Sequence, residues 1–236
     1  DLYTTAGLPT DYGSGTRESN LKCDFTKGIT VEFWLNNGTL DQNTKQALFH
    51  LTNSSGGDEF TIFLSGTTGS PFFSTLSASS TAIYGNERIG STPDTSSIQS
   101  WNHYAISFKS ASAGISTNFY LNGTLDQSTI LGTSSVGVLE QADTLAYVAS
   151  GSADHGHLHF SGSMDEFRFW KVERTAQDIG RNWFGQVRGG TNTDISNTTL
   201  GIYYKFNEGI TGTDSIDSGV LDYSGRISNG AWTGYG

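Results

Sequence analysis

The stretch SMDEFRFWKVERTAQDI, residues 163–179, decides the fold. Its first half alternates as a strand does, with successive side chains on opposite faces. Phe167 and Phe169 fall on one face and read as core. Glu166 and Arg168 fall on the other and read as an ion pair. The same alternation puts Asp165 on the side of the two Phe, at the strand's start, where it caps a turn or ligates a cation. The second half changes character. Thr175 is followed three residues later by Asp178, a capping box with Asp in place of the usual Glu. It predicts a short surface helix near 176–183.

Working outward, the same alternation recurs. GITVEFWL (28–35) places Ile29, Val31, Phe33 and Leu35 on one face and Thr30, Glu32 and Trp34 on the other. EFTIFLSG (59–66), WNHYAISF (101–108), TNFYLNG (117–123), TLAYVASG (144–151) and LGIYYKFNEG (200–209) read similarly. Clusters of Gly, Ser, Thr and Asn separate them, which is the pattern of an antiparallel sandwich. Residues 67–82 and 90–100 read as loops.

The bulk composition is compatible with this and narrows the function. The chain has 236 residues, a length that one all-β domain commonly fills. Its formal charge of −10 disfavours nucleic acid, whose phosphates it would repel, and suits cations and hydroxyl-rich ligands. Cys23 is the only cysteine, which excludes an internal disulfide and a thiolate metal cluster. No apolar run is long enough to span a membrane as a helix, so no membrane insertion is expected. The start at Asp1 points to a processed chain or a module of a longer one.

NGTLDQ occurs twice, at 37–42 and 122–127. The flanks diverge at once, into NTKQALFHL and STILGTSSV, so a duplicated unit is not indicated. Asn-Gly after an alternating strand is a hairpin signal, because both positions accept positive φ. Convergent turn chemistry is the simpler reading. The second copy fits a tight hairpin.

GITVEFWL, WNHYAISF, FYLNGTL, FSGSMDEFRFWKVERTAQDI and LGIYYKFNEG…DYSGRISNG, in this order, resemble the laminin-G-like and pentraxin-like domains of the concanavalin A-like lectin/glucanase superfamily. The resemblance runs from about residue 25 to 232, with Asn102 a departure where His is common. It implies an all-β fold: a jelly-roll sandwich of two curved antiparallel sheets, with the FNEG…DYSG segment supplying strands to the same sandwich. Residues 1–236 are expected to form one such domain. Trp101 and Trp170 sit in positions that look structural in the family.

Candidate sites follow. Glucanase relatives need two carboxylates about 5–5.5 Å apart, and an ExDxxE-type strand pattern is missing. Asp165 and Glu166 are adjacent and, on a regular strand, cannot pair; Glu32 stands alone. No enzyme is therefore expected. Calcium takes six to eight oxygen ligands, and many relatives hold a structural calcium. Asp222, at the family's D-x-S-G position, Asp165, Glu208, Asp217 and Asn229 are the candidate ligands, with Asp214 nearby; Asx turns are the competing explanation. His155, His157 and His159 alternate over a span of about 13 Å, too far for one ion, and read as a solvated strand face. Glycan binding calls for an exposed aromatic with polar loop groups. Tyr84 and Asn86, in the polar stretch TAIYGNERIG, and Trp34 are the candidates, with Trp101, Tyr104, Trp183 and Trp232 as further aromatics. Sequons at Asn37, Asn53, Asn122 and Asn197 are what a chain so rich in Ser, Thr and Asn contains by chance.

The reading that results is a recognition or adhesion module for carbohydrate or a surface protein, in an extracellular, cell-surface or virion setting. A purely structural interaction domain without a sugar site is the alternative, and a glycan-cleaving enzyme a third.

Overall fold

The computed structural model describes residues 2–5, 19–38, 45–53, 59–67, 70–78, 83–139, 144–151, 159–187, 199–209, 212, 217–225 and 228–232. Within them the strands are β1 (Leu2–Thr5), β2 (Cys23–Asp24), β3 (Ile29–Asn36), β4 (Gln46–Asn53), β5 (Glu59–Thr67), β6 (Ser70–Ala78), β7 (Ile83–Ile89), β8 (Asn102–Ala111), β9 (Gly114–Leu121), β10 (Thr124–Leu131), β11 (Val138–Leu139), β12 (Thr144–Val148), β13 (Ser163–Trp170), β14 (Leu200–Tyr204), β15 (Gly219–Val220) and β16 (Gly230–Trp232). Two helices accompany them, α1 (Thr95–Ile98) and α2 (Ala176–Asn182).

The strands make an eight-stranded sheet in the order β15-β16-β1-β12-β4-β5-β6-β7 and a six-stranded sheet in the order β10-β9-β8-β3-β13-β14. A two-stranded ribbon, β11-β2, completes the set. Every pairing is antiparallel. The inner faces share one apolar core, as sandwich packing requires. Phe49 on β4 meets Phe167 and Phe169 on β13 at 5.4 and 5.6 Å between ring centroids, and Phe60 on β5 meets Phe108 on β8 at 5.0 Å. Ile29, Val31, Phe33 and Leu35 point into this core as their alternation predicts.

Two stretches expected as loops carry structure. Residues 70–78 form β6, with Phe73 fully buried. Pro71 ahead of that Phe and Ser74 and Thr75 after it disguise a strand whose backbone is paired on both edges. Within 90–100, Asp94 caps the single turn of α1 through a capping box with Ser97. Helix α2 begins where the sequence places it: Thr175 Oγ1 accepts from the Asp178 amide at 3.1 Å, and the Asp178 carboxylate accepts from the Thr175 amide at 3.4 Å. Ile179 then buries against Ala105 and Tyr120 on the outer face of the six-stranded sheet.

The two NGTLDQ copies do different work. In the second, Asn122 (φ 49°) and Gly123 (φ 76°) form the two-residue turn joining β9 to β10. Asp126 and Gln127 then hold the neighbouring loop: the Asp126 carboxylate accepts from the amides of Ser91 (2.6 Å) and Thr92 (3.1 Å), and Gln127 accepts from the amide of Gly90 (2.7 Å). In the first copy, Asn37 follows β3 in one sheet and the chain continues to β4 in the other, so no hairpin forms. Asn37 is buried, its backbone N–H donates to the Ile98 carbonyl at 2.8 Å, and its side-chain amide donates to Gln46 Oε1 at 3.3 Å. Residues 39–44 lie outside the described residues. The Asn122 side chain is also engaged, donating to Asn102 at 2.7 Å and accepting from the His103 amide at 2.9 Å, so neither sequon presents a free amide. The side chain of Asn53 and all of Asn197 lie outside the described residues.

A Cβ on Gly123 would sit 2.1 Å from the Trp183 ring, besides demanding a left-handed backbone. Gly123→Ala is therefore expected to cost at least about 1 kcal/mol from the backbone alone. Chemical denaturation would measure it, and an unchanged midpoint would overturn this account of the turn.

The tail joins the same sandwich, as the sequence suggests. Strands β15 and β16 extend the eight-stranded sheet, and Asp222 bridges to Tyr204 at the edge of the other sheet.

Candidate ligand-binding site

The outer face of the six-stranded sheet is built from cross-strand rows. Register places Tyr120, Ala105, Glu32, Arg168 and Tyr203 side by side across β9, β8, β3, β13 and β14. The next row sets His103, Trp34 and Asp165 side by side. Side chains in one row share a face, so an ionic row lies beside an aromatic one.

The ionic row is sealed. Glu32 is fully buried, so it does not stand alone. Its Oε1 accepts from Arg174 Nη1 at 2.6 Å, and its Oε2 lies 3.5 Å from both Arg168 Nη1 and His103 Nε2. Those last two contacts are at the outer limit for hydrogen bonds. Burial pushes the Glu32 carboxyl up. The His103 contact and the two guanidiniums outweigh it and hold the pKa at about 2. Arg174 also stacks 4.2 Å above the Trp170 ring, which keeps Trp170 the structural residue the sequence suggests.

A bulge in β13 changes the reading of Asp165. Between Asp165 and Arg168, two residues of β13 oppose one of β3, and Glu166 takes a left-handed φ of 51°. An extra residue in a strand inverts the faces beyond it. Asp165 therefore shares the outer face with Arg168 rather than the inner face with Phe167 and Phe169. The expectation that adjacent Asp165 and Glu166 point apart fails for the same reason: both line one cleft. The Glu166–Arg168 pair is present at 2.8 Å. Glu166 Oε2 also accepts from the Tyr203 hydroxyl, and its Oε1 accepts from Gln186 at 3.2 Å. Burial raises the Tyr203 pKa, and its bond to Glu166 raises it further.

The cleft has a volume of about 400 Å³ and is floored by Asp165, Glu166 and Arg168. Trp34, Trp101, Phe184 and the Gly185–Gln186 segment after α2 form its walls. Trp101 is 48% exposed and Phe184 70%. Trp183, at the C-terminal cap of α2, packs against Trp34 with the rings tilted, 5.7 Å between centroids, and supports Phe184 edge-on at 5.7 Å. A cavity of this size with aromatic walls and a few convergent polar groups is the usual form of a small-molecule site.

The structure thus joins Trp34 and Asp165, proposed separately as ligand-binding and metal residues. Of the two readings of Trp101, a structural family position and a candidate aromatic, its exposure and its place in the cleft fit the second. Phe184 and Gln186 were not foreseen. The signal was Trp183-Phe184 just past a seven-residue helix, too short to bury two large rings on one face. Tyr84 and Asn86 lie on strand β7, the edge of the other sheet, and not in a loop, so they do not join Trp34. Tyr104 is core, and Trp232 packs against the core beside Phe206.

The tail residues fit hydrogen bonding better than calcium. Asp222 Oδ1 accepts from the amides of Tyr203 (3.0 Å) and Ser224 (2.9 Å), and Oδ2 from the Ser224 hydroxyl (2.7 Å) and the Ser228 amide (2.9 Å). Asn229 accepts from the Asp222 amide, Glu208 from the Leu221 amide and Asp217 from the Gly212 amide. These oxygens face N–H donors, and Asp165 lies apart from them in the cleft. Among the described residues no three His, Cys, Asp or Glu side chains are grouped to hold a metal. Asp214, His155 and His157 lie outside the described residues. His159 lies outside any strand and contacts Ser150 at 3.1 Å.

A family model described as the concanavalin A-like lectin/glucanases superfamily matches residues 10–180. The chain belongs to this superfamily. No curated protein matches it. Among solved structures, a candidate carbohydrate-binding protein of Bacteroides ovatus aligns with a TM-score of 0.57 at 21% identity, over 98% of this chain and 55% of that one. The chain thus spans little more than half the length of that relative. A heptameric SAP-like pentraxin of Limulus polyphemus aligns at 0.52 and 10% identity, over 76% and 74%. Tailspike protein 2 of the Escherichia coli O157:H7 bacteriophage CAB120 aligns at 0.51 and 13%, over 80% and 25%. At these identities the likeness is one of fold. No helix of the described residues is long and apolar enough to cross a membrane.

Proposed function

We propose that this superfamily member is a non-catalytic recognition module that binds glycans in the cleft over β3 and β13, within an extracellular, cell-surface or virion protein. The observation that carries the reading is the pair of exposed rings, Trp101 and Phe184, flanking the Asp165 carboxylate. Aromatic faces stack on the apolar faces of sugars, and a carboxylate accepts their hydroxyls. The fold shared with a candidate carbohydrate-binding protein and a phage tailspike supports the setting.

Hydrolysis is disfavoured by the engagement of Glu166. Both its oxygens already take donors, from Arg168, Tyr203 and Gln186. A catalytic acid or nucleophile must face the substrate with a free oxygen. We also propose that binding does not need calcium, because the Asp222 oxygens are filled by protein donors.

A glycan array, run with calcium and again with chelator, tests this. Selective binding in both conditions is expected. Trp101→Ala should weaken it at least about fivefold, from the roughly 1–3 kcal/mol of ring stacking on a ligand, with the melting temperature unchanged. Binding only with calcium would overturn the metal-free reading. A blank array from folded protein would move the cleft to a protein-docking role.

A further inference from the structure

The charges at the cleft do not balance, and the imbalance sits on one atom. Glu166 is neutralised by Arg168 at 2.8 Å and takes further donors from Tyr203 and Gln186. Arg168 is itself shared between Glu166, Glu32 and the Gly185 carbonyl, which its Nη2 meets at 2.6 Å. Gln186 is engaged at both ends of its amide, since its carbonyl oxygen accepts from Lys205 Nζ at 3.1 Å. Asp165 is different. Among the described residues its one hydrogen bond comes from the adjacent Glu166 amide to Oδ1, at 2.8 Å. Among the described residues no Lys or Arg reaches it within ion-pair distance, and Arg168 acts on it only from afar. Asp165 lines the cleft, and among the described residues no hydrogen-bond donor reaches its Oδ2.

Its surroundings are wrong for a bare anion. Trp34 stands directly across the strand pair from Asp165, and Trp101 and Phe184 complete the walls. Partial burial and the neighbouring Glu166 charge raise its pKa, the sign of a carboxylate short of a counter-charge. Neutral hydroxyls would satisfy its hydrogen bonding and leave its charge. An ammonium would satisfy both, through a charge-assisted bond about twice as strong as a neutral one. The rings favour the same choice, because aromatic faces, Trp above all, attract cations.

On the reading of the cleft as a glycan site, we propose that it selects sugars carrying a free, protonated amino group, with the amine on Asp165 Oδ2 and the pyranose face against Trp101. N-acetylation removes the charge and adds bulk where the carboxylate needs a cation, so acetylated and parent hexose forms are the discriminating controls.

Calorimetric titration with matched trisaccharides of glucosamine and galactosamine, their N-acetylated forms and the parent hexoses tests this. The free-amine form is expected to bind at least about tenfold more tightly than its acetylated and neutral partners. Asp165→Asn should erase that preference, bringing the free-amine, acetylated and neutral forms to within about threefold of one another. Trp101→Ala should weaken all three forms together. If the parent hexoses bind through Trp101 and the amine adds nothing, or if Asp165→Asn weakens every form alike, the amine preference falls and the glycan reading stands. If no form binds to folded protein, both fall.

Discussion

Glu32→Gln is expected to lower the unfolding free energy by about 3–5 kcal/mol, the usual cost of leaving a buried charge uncompensated. Glu32 has no solvent exposure, Arg168 is 1% exposed and Arg174 9%. Glutamine keeps the shape and removes the charge, so two buried guanidiniums lose the anion between them. A surface pair provides the scale. Lys109 and Glu173 meet at 3.1 Å, but their side chains are 46% and 26% exposed, and Lys109→Ala should cost less than about 1 kcal/mol. Denaturant unfolding of both variants checks the contrast. A cost for Glu32→Gln no greater than that for Lys109→Ala would mean that water reaches the network. A double-mutant cycle of Glu32 with Arg174 isolates the pair, and strong coupling is expected.

The same residue sets a pH dependence. The folded pKa of Glu32 is depressed from 4.5 to about 2. Its contribution is therefore fully present above pH 4.5 and is lost as pH falls toward 2. From the pKa difference it amounts to about 3 kcal/mol. The wild type should lose stability across that window, and Glu32→Gln should lose correspondingly less. Equal acid slopes for the two proteins would refute this role.

Where periodicity and turn chemistry govern, the sequence reads correctly. The inward set Ile29, Val31, Phe33 and Leu35, the capped start of α2 at Thr175 and the Asn122-Gly123 turn depend on neighbours in the chain, and each appears as expected. Asp165 shows where such reading stops. Alternation assumes an unbroken ladder, and one left-handed residue, Glu166, breaks it. Nothing in the local sequence marks that residue, because the bulge is defined by the two-against-one pairing with β3. The cleft was illegible for a related reason. Trp34, Trp101, Asp165 and Phe184 come from β3, the approach to β8, β13 and the segment after α2, and only the tertiary fold brings them together. Glu32 was read as solitary because its partners, His103, Arg168 and Arg174, are all distant in sequence. Asp222 shows the opposite limit: its acidic, Ser- and Gly-rich surroundings fit a calcium loop and an Asx turn equally, and only the direction of the neighbouring N–H groups distinguishes them.

Phe49→Ala is expected to destabilise the fold about as much, by 3–5 kcal/mol, through lost burial and the cavity left behind. Phe49 projects from β4 of the eight-stranded sheet onto Phe167 and Phe169 of β13, and touches Phe60 at 6.3 Å. It is fully buried, so the whole ring leaves a closed space. Truncation removes contacts between the two sheets, where neither backbone ladder can close the gap. For a domain of this size the melting temperature should fall on the order of 10 °C. Phe184→Ala is the matched control: the same chemical change at a ring 70% exposed should leave stability within about 0.5 kcal/mol and appear only in ligand binding. If Phe184→Ala proved as destabilising as Phe49→Ala, the ring would be part of the packing of α2, and the cleft would lose one of its two exposed walls. If Phe49→Ala were mild, the sheets would be held by contacts at their edges. The region carrying the cleft would then be free to shift against the rest of the sandwich, and the geometry around Asp165 would not be fixed by the core beneath it.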